Sequence, residues 1–486
     1  MLCTTVTDGN YYVDPLNGSD TAGVTGNSTC SWKTITYALL QLAASNQTAT
    51  INVKATGNVV ATANEVFPIG IAQTLMNGAS VRIVPANRII RGAGTDVPTI
   101  KVPAGNFAFA MAAPNSRVSQ MIIESADIST DAAKASYAIR AFQGSDDTTV
   151  IDHLTIRNTR YTSILLEKNG AVANTPSGVL TVQGGLSVSG AGGNGAIHVL
   201  HNGKITLNAG PGPDAISLSN NTYGIVVTDR GQVTATGVAS WPLVNGGSLG
   251  TFVIKGNTTA GIYVLPCVSV ATQYSANQAL APLPAAIAVQ GNCSNVTLNG
   301  LGTASPANSF DGIAVWDQNS GTANGVGLMA GANVKIRNSV ILGSARSGVY
   351  VENGPTATIA NAGGTPANWT YTVYDLSTID LGTSGSAGGN VLQAAQGSGL
   401  TNKGAGVQMA ITDNKGQTLN AVGNTLQDAA IKTQTVNCGS TSGTVSRNYP
   451  NINTCQAGDP QGGISACGNL TGATPNKFNL SMCTVP

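Results

Sequence analysis

Acidic residues are scarce in this chain: 22 Asp and Glu in 486 residues. Seven of them nevertheless fall in one window, at Glu124, Asp127, Asp131, Asp146, Asp147, Asp152 and Glu167, where even spacing would put about two. Lys134, Arg140, His153, Arg157, Arg160 and Lys168 share that window. Hard cations such as Ca2+ need several convergent oxygens, which Asp146, Asp147 and Asp152 could supply. The competing reading is a solvated, ion-paired stretch, which the mixing of acids with bases favours. His198 and His201 in "AIHVLHNG" are two of three histidines, but two imidazoles without a third ligand do not make a metal centre.

These groups have to be carried by something periodic. A small residue followed by Ile, Val or Phe and then usually another apolar residue recurs along the chain. It appears at Ala108, Ala138, Ser163, Ala196, Gly224, Gly261, Ala286, Gly312, Gly348, Gly406 and Ala430. Successive gaps run from 24 to 58 residues, and the longest is read as two turns with one copy missed. The step is then about 29 residues, with several short alternating strands per step, such as "HLTIRN", "FVIKGN" and "NVKIRN". A period of that size with several strands per unit means a solenoid or a propeller. No propeller signature is present, and the step suits one coil of a parallel β-helix. Asn at strand ends suits turns and can stack between coils. In this register the outward positions form a column that includes Arg140, Glu167, His198, Asp229, Tyr263, Trp316, Asp317, Tyr350 and Glu352. Rings beside carboxylates on one face suit glycan binding, the rings giving apolar contact and the polar groups orientation. Tyr263, Trp316, Asp317, Tyr350, Glu352 and His198 are the candidate glycan contacts.

The head of the chain is different. "YYVDPLNGSDTAGVTGNSTCSWKTITYAL" goes from strand to Gly- and Asn-rich loop to helix start. Ile35, Leu39 and Leu42 share one helical face. A short helix over the first coil would cap a solenoid end, which otherwise exposes unpaired backbone and core. With "TATINVKATGNVV" and "VRIVPANRIIRGAGTDVPTI", this stretch resembles an N-terminal segment common to bacterial β-helix proteins of the pectate-lyase-like superfamily. "TIDLGTSGSAGGNVLQ" resembles a late coil of such proteins.

The resemblance implies an all-β, right-handed single-stranded parallel β-helix of about eleven to twelve coils in an extracellular or cell-surface setting. Residues 1–105 would form the cap and first coils, 106–435 the β-helix, and 436–486 a Cys-rich tail. It implies no single reaction, because a fold does not fix a function. Lyases of this superfamily combine Ca2+-binding carboxylates with a proton-abstracting base. Asp146, Asp147, Asp152 and Arg157 are therefore the catalytic candidates, though no lyase motif is visible. Hydrolases of this fold cluster aspartates on neighbouring coils beside a His, a pattern that Asp214 and Asp311 echo faintly.

Eight cysteines without CxxC spacing point to disulfides in an oxidising compartment. Cys3 and Cys30 bracket the opening stretch. Cys267 and Cys293 follow consecutive repeat marks at nearly equal offsets, which would stack them on adjacent coils. Cys438, Cys455, Cys467 and Cys483 would staple the tail, with three pairings open. Charged residues are 9%, against roughly 25% in ordinary domains. The net charge of +1 makes no electrostatic case for nucleic acid. No apolar run reaches membrane-spanning length, and Met1-Leu2-Cys3 does not read as a signal peptide. Low charge and stapled ends favour a non-catalytic adhesin, matrix component or fibre subunit that self-associates end to end. The alternatives are a carbohydrate-active enzyme or a glycan-binding tailspike-like module. No cofactor is expected beyond Ca2+ in the enzyme reading.

Overall fold

The computed structural model describes residues 3–55, 65–74, 80–93, 96–126, 136–167, 178–228, 231–239 and 250–264. Beyond these it describes strand segments as far as 477–479, with side chains at 334–341, 349, 380–391 and 420–424. Strands hold 49% of the interpretable residues, and the chain is all-β. It divides into two compact units, Met1–Ile225 and Val226–Pro486.

The first unit opens with β1 (Asn10–Val13), helix α1 (Ile35–Gln41) and β2 (Ala49–Lys54). An antiparallel pair follows, β3 (Ile71–Thr74) and β4 (Ser80–Ile83), and then β5 (Arg88–Ala93), β6 (Thr99–Val102), β7 (Phe107–Met111) and β8 (Arg117–Ser125). Next come β9 (Tyr137–Ala141), β10 (Val150–Arg157), β11 (Ile164–Leu166), β12 (Val179–Gln183), β13 (Leu186–Ser189), β14 (Ile197–Val199), β15 (Lys204–Asn208) and β16 (Ile216–Ser219). Among the described residues of this unit, every ladder outside the β3–β4 pair is parallel. One series runs β1, β2, β5, β8, β10 and then on through β12 to β15 and through β13 to β16. β6 also pairs with β8. The other series runs β7, β9, β11, β14.

The register explains why the sequence repeats as it does. Ile51, Ile90, Val118, Ile151, Val182 and Leu207 are successive partners in the first series, and each is fully buried. Phe109, Ile139, Ile164 and Ile197, the apolar residues of four repeat copies, are partners in the second and are equally buried. Each such side chain contributes about 1.5–3 kcal/mol of transfer free energy. Corners between strands use left-handed backbone at Asn158 (φ 56°) and Asn220 (φ 57°), which Asn tolerates better than most residues.

The opening stretch is built around Trp32. Its ring stacks on Tyr11 at 5.4 Å and 9°, and its indole N–H donates to the Val24 carbonyl (2.9 Å). Gly26 has φ +77°, and a Cβ there would lie 2.6 Å from the indole, so this turn needs glycine. At seven residues α1 is too short to stand alone, and both its ends are tied down. Thr34 Oγ1 accepts from Tyr37 N (3.0 Å), while Glu65 accepts from Ile35 N (2.5 Å) and Thr36 N (3.0 Å). Burial pushes the Glu65 carboxyl above its ordinary pKa. At the other end the Arg88 guanidinium donates to the carbonyls of Leu42, Ser45 and Gln47. Ile35 and Leu39 are fully buried and Leu42 nearly so, as the helical face requires.

Cys3 and Cys30 form the expected disulfide, with Cα atoms 5.7 Å apart and a separation of 27 residues. Replacing both by serine removes a loop constraint worth about 3–4 kcal/mol. The expected loss is confined to the cap, read as faster amide exchange at residues 10–40 with exchange in β10–β16 unchanged.

The second unit has the same parallel habit. Gln232–Thr236, Asn295–Asn299, Asn333–Arg337, Thr378–Asp380, Thr418–Asn420 and Lys477–Asn479 pair in succession. So do Ala260–Val264, Asp311–Trp316, Val349–Asn353, Val407–Ile411 and Ile464–Ser465. This order corrects the repeat reading. The strand at Gly261 pairs directly with the one at Gly312, and the copy at Ala286 lies outside the described residues. The strands at Gly348 and Gly406 are also direct neighbours, so the 58-residue gap hides no rung. Part of that gap is an antiparallel hairpin, Ala357–Ala360 with Asn368–Tyr371. Another antiparallel pair is Lys432–Asn437 with Thr444–Tyr449, while the copy at Ala430 lies outside the described residues. A small residue before β-branched ones can begin a strand of either kind, and hairpins lengthen the spacing without adding a strand to the parallel series.

Candidate functional site

The local sequence of β10 sets up the most concentrated polar group among the described residues. Ile151 and Leu154 both turn inward, which ordinary alternation forbids for residues three apart. The extra residue is absorbed at His153, whose backbone is left-handed (φ 49°). The neighbouring strand does the same at Gln120 (φ 54°), between buried Val118 and Met121. The kink turns the His153 ring outward beside Asp152.

Asp152 is almost wholly buried and held by Arg117, whose Nε and Nη2 each donate 2.8 Å hydrogen bonds to its two oxygens. That contact raises the Arg117 pKa. Asp152 Oδ2 lies 2.9 Å from His153 Nδ1, and the opposite nitrogen, Nε2, lies 2.9 Å from Asp214 Oδ1. Asp214 ends a short 3-10 turn, Gly212–Asp214, between β15 and β16, and its side chain is 50% exposed. His153 therefore reaches across the intervening chain between β12 and β13. Gly184 and Gly185 make this reach sterically feasible. A Cβ at Gly185 would lie 2.8 Å from His153 ring carbons, and one at Gly184 would lie 2.8 Å from Asp214 Cβ. The result is a line Arg117–Asp152–His153–Asp214. An imidazole oriented by a buried carboxylate, beside an accessible one, can pass a proton to or from Asp214.

The acid-rich window is otherwise dispersed. Asp146 Oδ1 accepts from the Thr148 amide (2.8 Å) and hydroxyl. Asp147 pairs with Lys204 at 3.0 Å. Arg157 pairs with Glu124 at 2.6 Å. Asp146, Asp147 and Asp152 thus have separate partners and do not converge as the Ca2+ reading requires. Among the described residues no three His, Cys, Asp or Glu side chains group as a metal site, and His198 and His201 gain no third ligand. Asp127 and Asp131 lie outside the described residues. Asp214 meets His153, a partner that the sequence reading did not assign to it.

The outward column of the first unit is not a free surface. Arg140 is ion-paired with Glu167 and packed against the rings of Phe107 (4.9 Å), Phe142 (5.0 Å) and Tyr137 (5.2 Å). Burial pushes the Tyr137 hydroxyl up to about 12. His198, expected to point into solvent, is 8% exposed and hydrogen-bonded to Asn194 Nδ2 (3.0 Å). Alternation places its side chain on the outer face correctly, but that face is covered here.

Burial, with a smaller contribution from His201, lowers the His198 pKa to about 4. The unfolded chain then binds the extra proton between about pH 6.5 and 4. The stability contributed by neutral His198 is full above pH 6.5 and is lost as pH falls toward 4, by about 3 kcal/mol at most. Urea midpoints across this range should fall more steeply for wild type than for His198→Leu. Parallel slopes would remove the assignment.

In the second unit the backbone register stacks Tyr263, Ala314, Tyr350 and Gln408 at one position, and Trp316, Glu352 and Ala410 at another. The side chains of Trp316, Tyr350 and Glu352, and the whole of Asp317, lie outside the described residues. Cys293, Cys438, Cys455, Cys467 and Cys483 also lie outside them. Cys267 begins a strand that pairs antiparallel with Gly327–Ala330. Compared with family models, curated proteins and solved structures, the chain matches none.

Proposed function

We propose that each unit is a right-handed parallel β-helix and that the protein is a secreted or cell-surface structural and adhesive component. In this reading it self-associates end to end and is akin to the pectate-lyase-like superfamily that its N-terminal segment resembles. The observation that carries the reading is the buried series Ile51, Ile90, Val118, Ile151, Val182 and Leu207, one residue per parallel rung. A core of that kind grows by stacking, and its ends are heterologous surfaces whose mutual contact propagates into fibres. The charges support a structural role, because Arg117, Arg157 and Lys204 are engaged with acids of the chain itself. The Cys3–Cys30 bond supports an oxidising compartment. Electron microscopy of the purified protein, with sedimentation at increasing concentration, tests the reading. Fibres or concentration-dependent assemblies are expected, and dispersed monomers throughout would overturn self-association.

One observation favours a second reading, a carbohydrate-active enzyme: the accessible Asp214 carboxylate beside an oriented His153. Incubation with acidic polysaccharides, with and without Ca2+, reads this through absorbance of unsaturated products. Product formed by wild type and lost in Asp214→Asn would replace the structural reading.

A further inference from the structure

We propose that His153 is a proton-operated clasp that ties strand β10 to the Gly212–Asp214 turn across the layer between them. Both ring nitrogens face carboxylate oxygens at 2.9 Å, Nδ1 toward Asp152 and Nε2 toward Asp214. A carboxylate only accepts, so both contacts are hydrogen bonds at once only when both nitrogens carry protons. With a neutral ring one link is lost, and a lone pair then faces a carboxylate. The two ends of the clasp differ in firmness. Asp152 is buried and doubly bonded to Arg117, while Asp214 is half-exposed on a short turn. Nδ1 therefore keeps its proton toward Asp152, and the link that opens is the one to Asp214.

The surroundings fit a device of this kind. The charged groups described on elements packed against the ring are Asp152 on its own strand, Arg117 on β8 and Asp214 on the turn. The middle layer meets the ring with Gly184 and Gly185, which leave the space that the bridge occupies. The turn is otherwise held by local backbone bonds, Gly210 N to Asp214 O (3.0 Å) and Ala215 N to Gly212 O (3.1 Å). Loss of the clasp should therefore loosen this turn and turn the Asp214 carboxylate toward solvent, while the strands stay in place.

The test follows the ring and the turn together. Imidazole 15N shifts of His153 are recorded against pH, and amide-exchange protection factors at 210–216 are measured on both sides of its titration. Protection is expected to be about 3- to 10-fold higher with the cationic ring, the scale of one charge-assisted hydrogen bond at a partly exposed site. His153→Asn keeps a residue that tolerates the left-handed backbone, and Asp214→Asn changes only the exposed end. Both variants should abolish the difference. Equal protection on both sides of the titration, or an unchanged difference in His153→Asn, would overturn the clasp.

Discussion

Replacing Arg88 by methionine is expected to lower the stability of the first unit by about 3–5 kcal/mol, the range for a buried charged group whose network is broken. Arg88 is 1% exposed and pairs with no acid among the described residues. Its five guanidinium contacts are all to carbonyls: Leu42 and Ser45 at 2.5 Å, Gln47 at 2.8 Å, Asn87 at 3.0 Å and Ala86 at 3.4 Å. Burial lowers its pKa, the direction expected of a cation taken out of water. Methionine fills similar volume but leaves the Ser45 and Gln47 carbonyls without the Arg88 donor and Leu42 O with only the Ser45 amide (3.1 Å), at about 1–3 kcal/mol for each orphan that water cannot reach. Lysine should restore little, because a single ammonium cannot span acceptors that a planar fork reaches. Urea unfolding of Arg88→Met and Arg88→Lys measures the loss. A change under about 1 kcal/mol in the methionine variant would show that the end of α1 reaches water without cost.

In the second unit, Asn390→Leu is expected to cost about 3–4 kcal/mol. Asn390 is fully buried. Its Oδ1 accepts from Ser339 N (3.0 Å), and its Nδ2 donates to Ile336 O (3.1 Å), Leu381 O (3.2 Å) and Asn424 Oδ1 (2.8 Å). Asn424, also fully buried, repeats the arrangement, donating to Leu381 O (3.0 Å) and Ala421 O (2.7 Å). The two side chains form a short ladder that satisfies corner backbone between successive strands. Leucine is nearly isosteric but orphans the Ser339 amide, and it takes one donor each from Ile336 O and Leu381 O, which keep Arg337 Nη1 (2.9 Å) and Asn424 Nδ2 (3.0 Å). Asn390→Asp should also be costly, since it keeps the acceptor, loses both donors and adds a buried charge. Amide exchange at 336–341 and 380–391 localises the effect. Unchanged exchange there in the leucine variant would mean that the ladder does not hold the corner.

Much of this architecture was legible in the residues. Ile139, Ile164 and Ile197 sit at matching places in their repeats because each strand must bury the same position against the next. Ile35, Leu39 and Leu42 announce an amphipathic helix, and Cys3 with Cys30 announces its pin. Asn at strand ends anticipates the left-handed corners at Asn158 and Asn220 and the buried pair Asn390–Asn424. Two readings failed for one reason. The repeat spacing took the 58-residue gap between Gly348 and Gly406 for two turns, although the strands there are direct neighbours, and alternation placed His198 in solvent. Both inferences treat distance along the chain as distance in space. An antiparallel hairpin adds residues without adding a layer, and a covered outer face looks the same in sequence as a bare one.

By itself, then, the sequence determined the strand type, the buried positions, the cap and its disulfide, because each depends on residues close together in the chain or on a local period. Tertiary structure alone decided which acid meets which base. Asp152 and Asp214 are remote in sequence, and the intervening Gly184 and Gly185 look like ordinary turn residues. Stacking parallel strands brings those segments within hydrogen-bond reach of one ring, and ion-pair geometry depends on that separation in space.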